Sequence, residues 1–276
     1  MNIKNLLATS LTALVLAGCV HCKNDVESKR LSTIVKSQKI ELENIEIEVL
    51  DSVEKAGKIK AKILEEAAKN QVVMFGEVHD VYKKDNDFVI SILPDLKNQG
   101  FDYMAVEIPV NLPDVSYLNA LVDYIEGRIR MEEIQDENLF KLNLYVTGWL
   151  DVIAASKKLD MKVVRYDMAW INNKPEITNI REKIAFNNLK ELIFLRDPNA
   201  RIVVYCGALH TNKKPSSIEL TRDEQKILGA IDFDKITWLG NYLNEYTKGR
   251  NFTVSFAENT GAIMPYVDLR IQFKEY

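Results

Sequence analysis

Residues 40–50 (IELENIEIEVL) alternate apolar and acidic side chains, with a phase slip at Asn44. Strict alternation is the mark of a half-exposed strand, and a row of Glu suits the edge of a sheet. The pattern then changes period. Ala56, Ile59, Ile63 and Ala67 share one face of a helix over 52–69, with Asp51 or Ser52 placed to cap it. A short apolar run, Gln71 to Phe75, closes with Gly76 and reads as a buried strand. Phe88, Ile92 and Leu96 predict a helix over 87–99 that ends near Gly100, and Tyr103 to Val106 is a second buried strand.

The same alternation of elements continues. Helical periods cover 114–126 and 139–159; in the second, Leu142, Val146, Trp149 and Ile153 share a face. Met161 to Tyr166 is a strand, 176–196 a long helix, Asp197-Pro198-Asn199 a turn, and Arg201 to Cys206 a strand rich in β-forming residues. Helical segments near 218–230 and 234–247 precede strands near 252–257 and 267–273. The order is mostly strand, helix, strand, helix. That pattern predicts an α/β fold with a mostly parallel central sheet flanked by helices. The last two strands follow one another directly and are expected to pair antiparallel. There is no internal repeat, and no glycine-rich phosphate loop supports nucleotide binding.

The amino terminus has a different character. Lys4 precedes an apolar stretch from Leu6 to Ala17, too short to span a bilayer comfortably, and Leu16-Ala17-Gly18-Cys19 follows. This spelling resembles a bacterial lipobox. It divides the chain into a lipoprotein signal peptide (1–18), a polar tether (19–38) and one α/β domain (39–276), with Cys19 as the lipidated residue. The alternative is an ordinary secretory signal with an incidental Cys. The expected location is a bacterial membrane, reached by export. Val20 after the Cys resembles an outer-membrane address where the cell has that membrane. Cys22 is either a second acylated residue or a free thiol, and Cys206 is expected to be a packed core thiol.

The full chain has 276 residues, 47% hydrophobic and 28% charged, with a net charge of −4. Removal of residues 1–18, which hold one Lys and no acid, leaves 276 − 18 = 258 residues and a charge of −5. A net negative chain lacks the electrostatic footprint of a duplex-binding protein, so no nucleic-acid partner is expected.

In open α/β sheets, ligands sit beyond the carboxyl ends of the strands. The first buried strand ends in Gly76-Glu77-Val78-His79, the second in Glu107-Ile108-Pro109, the third in Arg165-Tyr166-Asp167 and the fourth in Gly207-Ala208-Leu209-His210. Of three His in the chain, two thus fall at one sheet edge; the third, His21, lies in the tether. Both share one spelling: buried strand, Gly, two residues, His. The Gly is expected to permit a sharp exit from the strand. His79, His210 and Glu107 could ligate a divalent metal and leave positions open for water. The same residues could instead work without metal, a His taking a proton from water while a carboxylate holds its tautomer. Spacing does not choose between these. Taken singly, each has a plainer reading: a satisfied core His, a structural strand-end Glu, a turn-capping Asp80 or Asp167.

Four motifs in order resemble the Tiki superfamily, which joins ChaN-like haem-binding lipoproteins, TraB-type proteins, Tiki metalloproteases and erythromycin esterase-like hydrolases. They are Phe75-Gly76-Glu77-Val78-His79, Val106-Glu107-Ile108-Pro109, the helical Ile180-Arg181-Glu182-Lys183-Ile184-Ala185-Phe186-Asn187-Asn188, and Gly207-Ala208-Leu209-His210. The resemblance spans about residues 70–257. It implies that His79, Glu107, Arg181 and His210 line the cleft with Glu77 beside them. Arg181 would bind a substrate carboxylate or an oxyanion; its plainer reading is a surface pair with Glu182.

Two functions follow from the resemblance. One is a lipid-anchored hydrolase of ester or peptide bonds in a small-molecule or peptide substrate. The other is a haem- or iron-binding lipoprotein of the ChaN type, for which Tyr82, Tyr103, Tyr166 and Tyr205 are candidate haem ligands. The residues after His79, Asp80-Val81-Tyr82-Lys83-Lys84, depart from the ChaN pattern of an Asn and further His, and the Arg181 motif is closer to the esterase-like and TraB-type branches. A structural lipoprotein with a decayed site is the third reading.

Overall fold

The computed structural model describes residues 46–77, 84–110, 116–134, 143–168, 175–215, 236–257 and 266–273. His79, Asp80, Tyr82, the segment 218–230 and everything at the amino terminus before residue 46 lie outside them. Seven strands form one sheet: β1 (Glu46–Leu50), β2 (Val72–Glu77), β3 (Phe101–Pro109), β4 (Lys162–Asp167), β5 (Arg201–Gly207), β6 (Asn251–Ala257) and β7 (Leu269–Phe273). Their order is β1-β7-β6-β2-β5-β3-β4, and every pairing is parallel. The antiparallel pairing expected of the last two strands is therefore wrong: Val254 to Ala257 run parallel to Leu269 to Gln272. Short spacing in sequence suggests a hairpin, whereas the two strands lie side by side and run in the same direction. The acidic strand does end the sheet, with β7 as its neighbour.

The helices are α1 (Val53–Lys69), α2 (Lys84–Asn98), α3 (Ser116–Ile125), α4 (Asn143–Lys158), α5 (Pro175–Leu189) and α6 (Leu239–Tyr246). Ser52 caps α1 by accepting the Lys55 N–H at 3.3 Å. α5 runs on through a π-helical turn, Lys190–Phe194. Handedness decides which face each helix covers. The connections β1 to β2, β2 to β3 and β3 to β4 all advance in one direction across the sheet; β4 to β5 and β5 to β6 reverse it. Right-handed crossovers then put the two sets on opposite faces. Accordingly Ile63 of α1, Leu96 of α2, Leu121 of α3 and Ile153 of α4 pack with Val73, Phe75, Val106 and Tyr205 in one core. Ala185 and Leu189 of α5 and Leu243 of α6 pack with Val72, Met74, Ala105 and Val204 in the other.

This topology fixes where a ligand can enter. β5 lies between β2 and β3, yet its connection leaves toward the face opposite to theirs. Where connections diverge from neighbouring strands, a ligand crevice is expected at the carboxyl edge. Glu77, Glu107, Asp167 and Gly207 are at or near the ends of the four strands that border it. Among the described residues, no helix is long and apolar enough to cross a membrane.

Candidate functional site

A 3-10 turn, Ala208–Thr211, leaves the end of β5 and holds His210 at 9% exposure. The reason for the glycine in the first Gly-x-x-His motif differs from the expected one. Gly76 lies inside β2 rather than at its exit, and a Cβ there would meet Thr211 Cγ2 at 2.6 Å and Ala208 Cα at 2.7 Å. It is the seat for the turn of the second motif. Gly240, near the start of α6, receives the same turn from the other side, since its Cβ would lie 2.6 Å from the Thr211 carbonyl oxygen. The turn bearing His210 is thus gripped between two glycines that are 164 positions apart in the chain.

Both ring nitrogens of His210 face carboxylates. Nδ1 lies 2.9 Å from Glu182 Oε2, and Nε2 lies 3.0 Å from Glu107 Oε1. A neutral imidazole has one N–H and would leave one contact between two lone pairs. The arrangement therefore holds an imidazolium. Burial alone would lower its pKa, but Glu107 and Glu182 override burial and push it up to about 10. The Trp238 ring meets the imidazole edge-on, with ring centroids 6.0 Å apart.

Glu182 is fully buried on α5, and its Oε2 also accepts the N–H of Leu239, the first residue of α6. A helix amino terminus and an imidazolium together hold that charge in the interior. Glu107 is held by three donors. Its Oε2 accepts the Gly207 N–H at 2.6 Å, and its Oε1 takes His210 together with Arg181 Nη2 at 2.5 Å. Arg181 also grips Asp167, from Nε at 3.0 Å and from Nη2 at 2.5 Å. Burial raises the Asp167 pKa above its usual value, with Arg181 opposing it; Asp167 and Glu107 raise that of Arg181, against its burial. The result is a buried chain, Glu182–His210–Glu107–Arg181–Asp167, of three acids and two cations.

The expected residues divide between the two faces. Glu107, Arg181 and His210 come together as expected, and Arg181 is buried in this network rather than paired on the surface. Glu77 does not join them. Strand alternation puts it on the opposite face, with Val73 and Phe75. There its Oε2 accepts the Tyr205 hydroxyl at 3.1 Å and its Oε1 the Trp149 indole N–H, while Tyr205 also bonds Asn86. Glu182 had no signal of its own beyond its place next to Arg181, because no periodicity reveals that a helical Glu turns inward.

The metal set does not fit the described residues. A ligating His must offer a lone pair, and both nitrogens of His210 are taken by carboxylates. Glu107 is already paired with two cations. Among the described residues no group of three or more His, Cys, Asp or Glu is arranged to hold an ion. The tyrosines proposed for haem fare no better. Tyr103, Tyr166 and Tyr205 are buried among core side chains, and burial raises the pKa of Tyr166 and Tyr205 well above the usual phenol value, away from phenolate.

No protein-family model matches the chain, and no curated protein sequence does. Solved structures similar in fold include toxin and effector domains. RRSP, a MARTX toxin effector domain from Vibrio vulnificus, is 13% identical at a TM-score of 0.46, covering 74% of this chain and 37% of that one. The type III effector HopBA1 is 14% identical at 0.44, covering 79% and 94%. The C-terminal region of Pasteurella multocida toxin, described with a thiol-protease-like catalytic triad, is 13% identical at 0.49, covering 90% and 32%. The chain thus spans about a third of the length of the first and third.

Proposed function

We propose that this chain is a hydrolase of ester or peptide bonds, with its site at the carboxyl edge of the sheet and without a metal in the Glu107–His210 pair. One observation carries the reading: five ionisable side chains are withdrawn from water at the crevice where the topology diverges. Burying such a chain contributes little to stability compared with apolar packing. Ionisable groups held this way are concentrated at sites of chemistry. The order of the four sequence motifs supports placing the chain beside the Tiki superfamily, and the Arg181 motif supports its esterase-like and TraB-type branches.

The roles follow from protonation. His210 is an imidazolium and so acts as acid, giving its Nε2 proton to a leaving oxygen or nitrogen while Glu182 holds Nδ1. Arg181 holds the Glu107 carboxylate against that nitrogen through Nη2. The complementary base belongs to the first motif, Glu77 and His79, where Trp149 and Tyr205 fix the Glu77 carboxylate. It takes a proton from the water whose oxygen bonds to the carbonyl carbon, and the bond to the leaving atom breaks as that atom takes the His210 proton. Separating acid and base between two environments is how a site runs both kinds of chemistry at one pH. Lipidation of Cys19 would hold this activity at a bacterial membrane, on the outer membrane where one exists.

The test is a hydrolysis screen with the full chain, using p-nitrophenyl esters and fluorogenic peptides, alongside His210→Gln and His79→Ala. We expect turnover in the wild type and a loss on the order of 10²- to 10⁴-fold in each variant, with unchanged melting temperature for His79→Ala. Turnover that survives both substitutions would overturn the assignment. Activity removed by chelators and restored by a divalent ion would overturn its metal-free part.

A further inference from the structure

The opposite edge of the sheet carries a second charged feature that the hydrolase reading does not use. Directly before β2, β5 and β6 lies a cleft of about 240 Å³ lined by Lys69, Asn70, Gln71, Asn199, Arg201 and Arg250, with Ala68. Three cations and three amides face it, and no carboxylate does, in a chain whose net charge is −4. The volume falls below that of drug-sized pockets and suits a small polar group.

The cations are held in different ways. Arg201 is locked: its guanidinium lies 4.2 Å from the Phe101 ring centroid and donates to the carbonyls of Ala67, Asn70 and Gln99. Those bonds close the carboxyl ends of α1 and α2, which accounts for its retention on structural grounds alone. Its charge stays in the cleft with no carboxylate to cancel it. Arg250 is exposed and only partly engaged, donating from Nε to the Thr247 carbonyl and from Nη2 to Gln71 Oε1. Among the described residues, Arg250 Nη1 and the Asn199 side-chain amide make no hydrogen bond, which leaves both to donate into the cleft. Lys69 is shared with Glu65 and Glu66 on the outer side of α1. A fixed positive charge beside free planar donors is the arrangement that binds phosphate oxygens.

Parallel topology adds a direction. Because β1 runs parallel to the other strands, its first residue, Glu46, lies at this same edge, three strand positions or about 14 Å from β2. A chain anchored at Cys19 would join the described domain at this side, through Glu46. The His210 edge is about 20 Å away, at the far end of six- and seven-residue strands. We infer that the Lys69–Arg201–Arg250 cleft is a phosphate-oxyanion site that takes an anionic phospholipid headgroup, turning the amino edge of the sheet toward the membrane and the His210 edge away from it. The tether expectation supplies the lipid as source; the phosphate chemistry rests on the cleft. Anchoring would raise the local headgroup concentration, so a weak site suffices.

The test uses the chain from residue 19 onward carrying Cys19→Ser, so that neither the apolar 6–17 stretch nor an acyl chain contributes. It is sedimented with phosphatidylcholine vesicles, with and without phosphatidylglycerol, and titrated separately with inorganic phosphate. Binding should require the anionic lipid and fade as salt rises. Arg250→Gln should weaken it about fivefold and Arg250→Glu further, with a thermal melt showing both folded, while Arg250→Lys keeps part of it. His210→Gln should bind like its parent, which separates this site from the hydrolase reading. Saturable phosphate binding, lost in Arg250→Glu but with no gain from anionic vesicles, would overturn the lipid source and keep the oxyanion site. Vesicle and phosphate binding that Arg250→Glu leaves unchanged, or no binding of either kind, would overturn the site itself.

Discussion

Glu182 Oε2 lies 2.9 Å from His210 Nδ1 and 2.8 Å from the backbone nitrogen of Leu239. One carboxylate oxygen thus ties α5 to both the His210 turn and the start of α6. Through it the imidazole is fixed in ring plane and protonation, while Nε2 is left to Glu107. Glu182 is a positioning residue, since it reaches the crevice only through His210.

Glu182→Gln tests that role. Glutamine keeps the shape and can still accept the Nδ1–H, but it removes the charge that supports the imidazolium. The His210 pKa should fall, which nitrogen-15 NMR of the ring reads directly. On any substrate found by the hydrolysis screen, kcat should drop on the order of 10²-fold with KM little changed. An unshifted His210 titration would mean that Glu107 alone sets its state.

Stability should decline in alkali through the same residue. The folded-state pKa of His210 is raised from 6.5 to about 10. A raised histidine stabilises the fold fully below its unfolded value, and that contribution is lost as pH climbs through the folded one. The amount at stake is on the order of 3–5 kcal/mol. Denaturant midpoints measured from pH 6 to 10.5 should fall steadily, and His210→Gln should flatten that slope. Tyr166 and Tyr205, whose phenols burial keeps protonated in the fold, also favour unfolding at high pH because they ionise in the unfolded chain, but that effect is common to both proteins and cancels in the comparison. Parallel slopes would mean that His210 is neutral in the fold.

Much of this architecture is legible along the chain because buried parallel strands are short apolar runs and their covering helices carry one apolar stripe. Ile59, Ile63 and Ala67 keep a helical period, and all three are buried. The strand ends were equally readable, because a carboxylate directly after an apolar run must sit at a sheet edge. What periodicity does not encode is which face such a residue turns to across neighbouring strands. Glu77 and Glu107 have the same local grammar and finish on opposite faces. Nor does it encode packing between distant glycines. Gly76 looked like a strand exit, whereas its need for a bare Cα comes from Ala208 and Thr211, more than 130 positions away. The parallel return of β7 was hidden for a similar reason, since chain proximity suggested a hairpin that the sheet order does not use.

That glycine contact predicts an effect at a distance. In Gly76→Ala the new methyl would meet the Thr211 side chain and the Ala208 backbone. Backbone cannot step aside as a side chain does, so the turn holding His210 must shift. The cost should be about 1–3 kcal/mol, seen as a lower melting temperature, with a change in the His210 ring resonances. Adding Thr211→Ala removes only one of the two contacts. It should therefore restore part of the stability and leave the resonances displaced. Full rescue would assign the whole effect to Thr211.

Cys206 should be chemically silent in the folded chain. It is fully buried, its Sγ faces the Phe75 carbonyl at 3.8 Å, and burial pushes its thiol pKa well up. Thiolate, the reactive form, is thereby disfavoured at ordinary pH. In a chain carrying Cys19→Ser and Cys22→Ser, a thiol reagent at pH 8 should label nothing until denaturant is added. Rapid labelling under native conditions would show that the second core opens.

The Arg181–Asp167 pair should be the most sensitive single contact in the site. Asp167→Asn keeps the volume and some hydrogen bonding but leaves Arg181 with less negative charge in a buried position. Removing one partner of a buried ion pair costs about 3–5 kcal/mol. For a domain of this size that corresponds to a fall of roughly 6–20 °C in Tm. Arg181→Lys should be nearly as damaging, because an ammonium cannot span Asp167 and Glu107 with a planar fork. The double variant Asp167→Asn with Arg181→Met should be more stable than Asp167→Asn alone, since it removes the under-compensated cation. If the double variant is instead the less stable of the two, Glu107 alone compensates Arg181, and Asp167 serves its orientation rather than its charge.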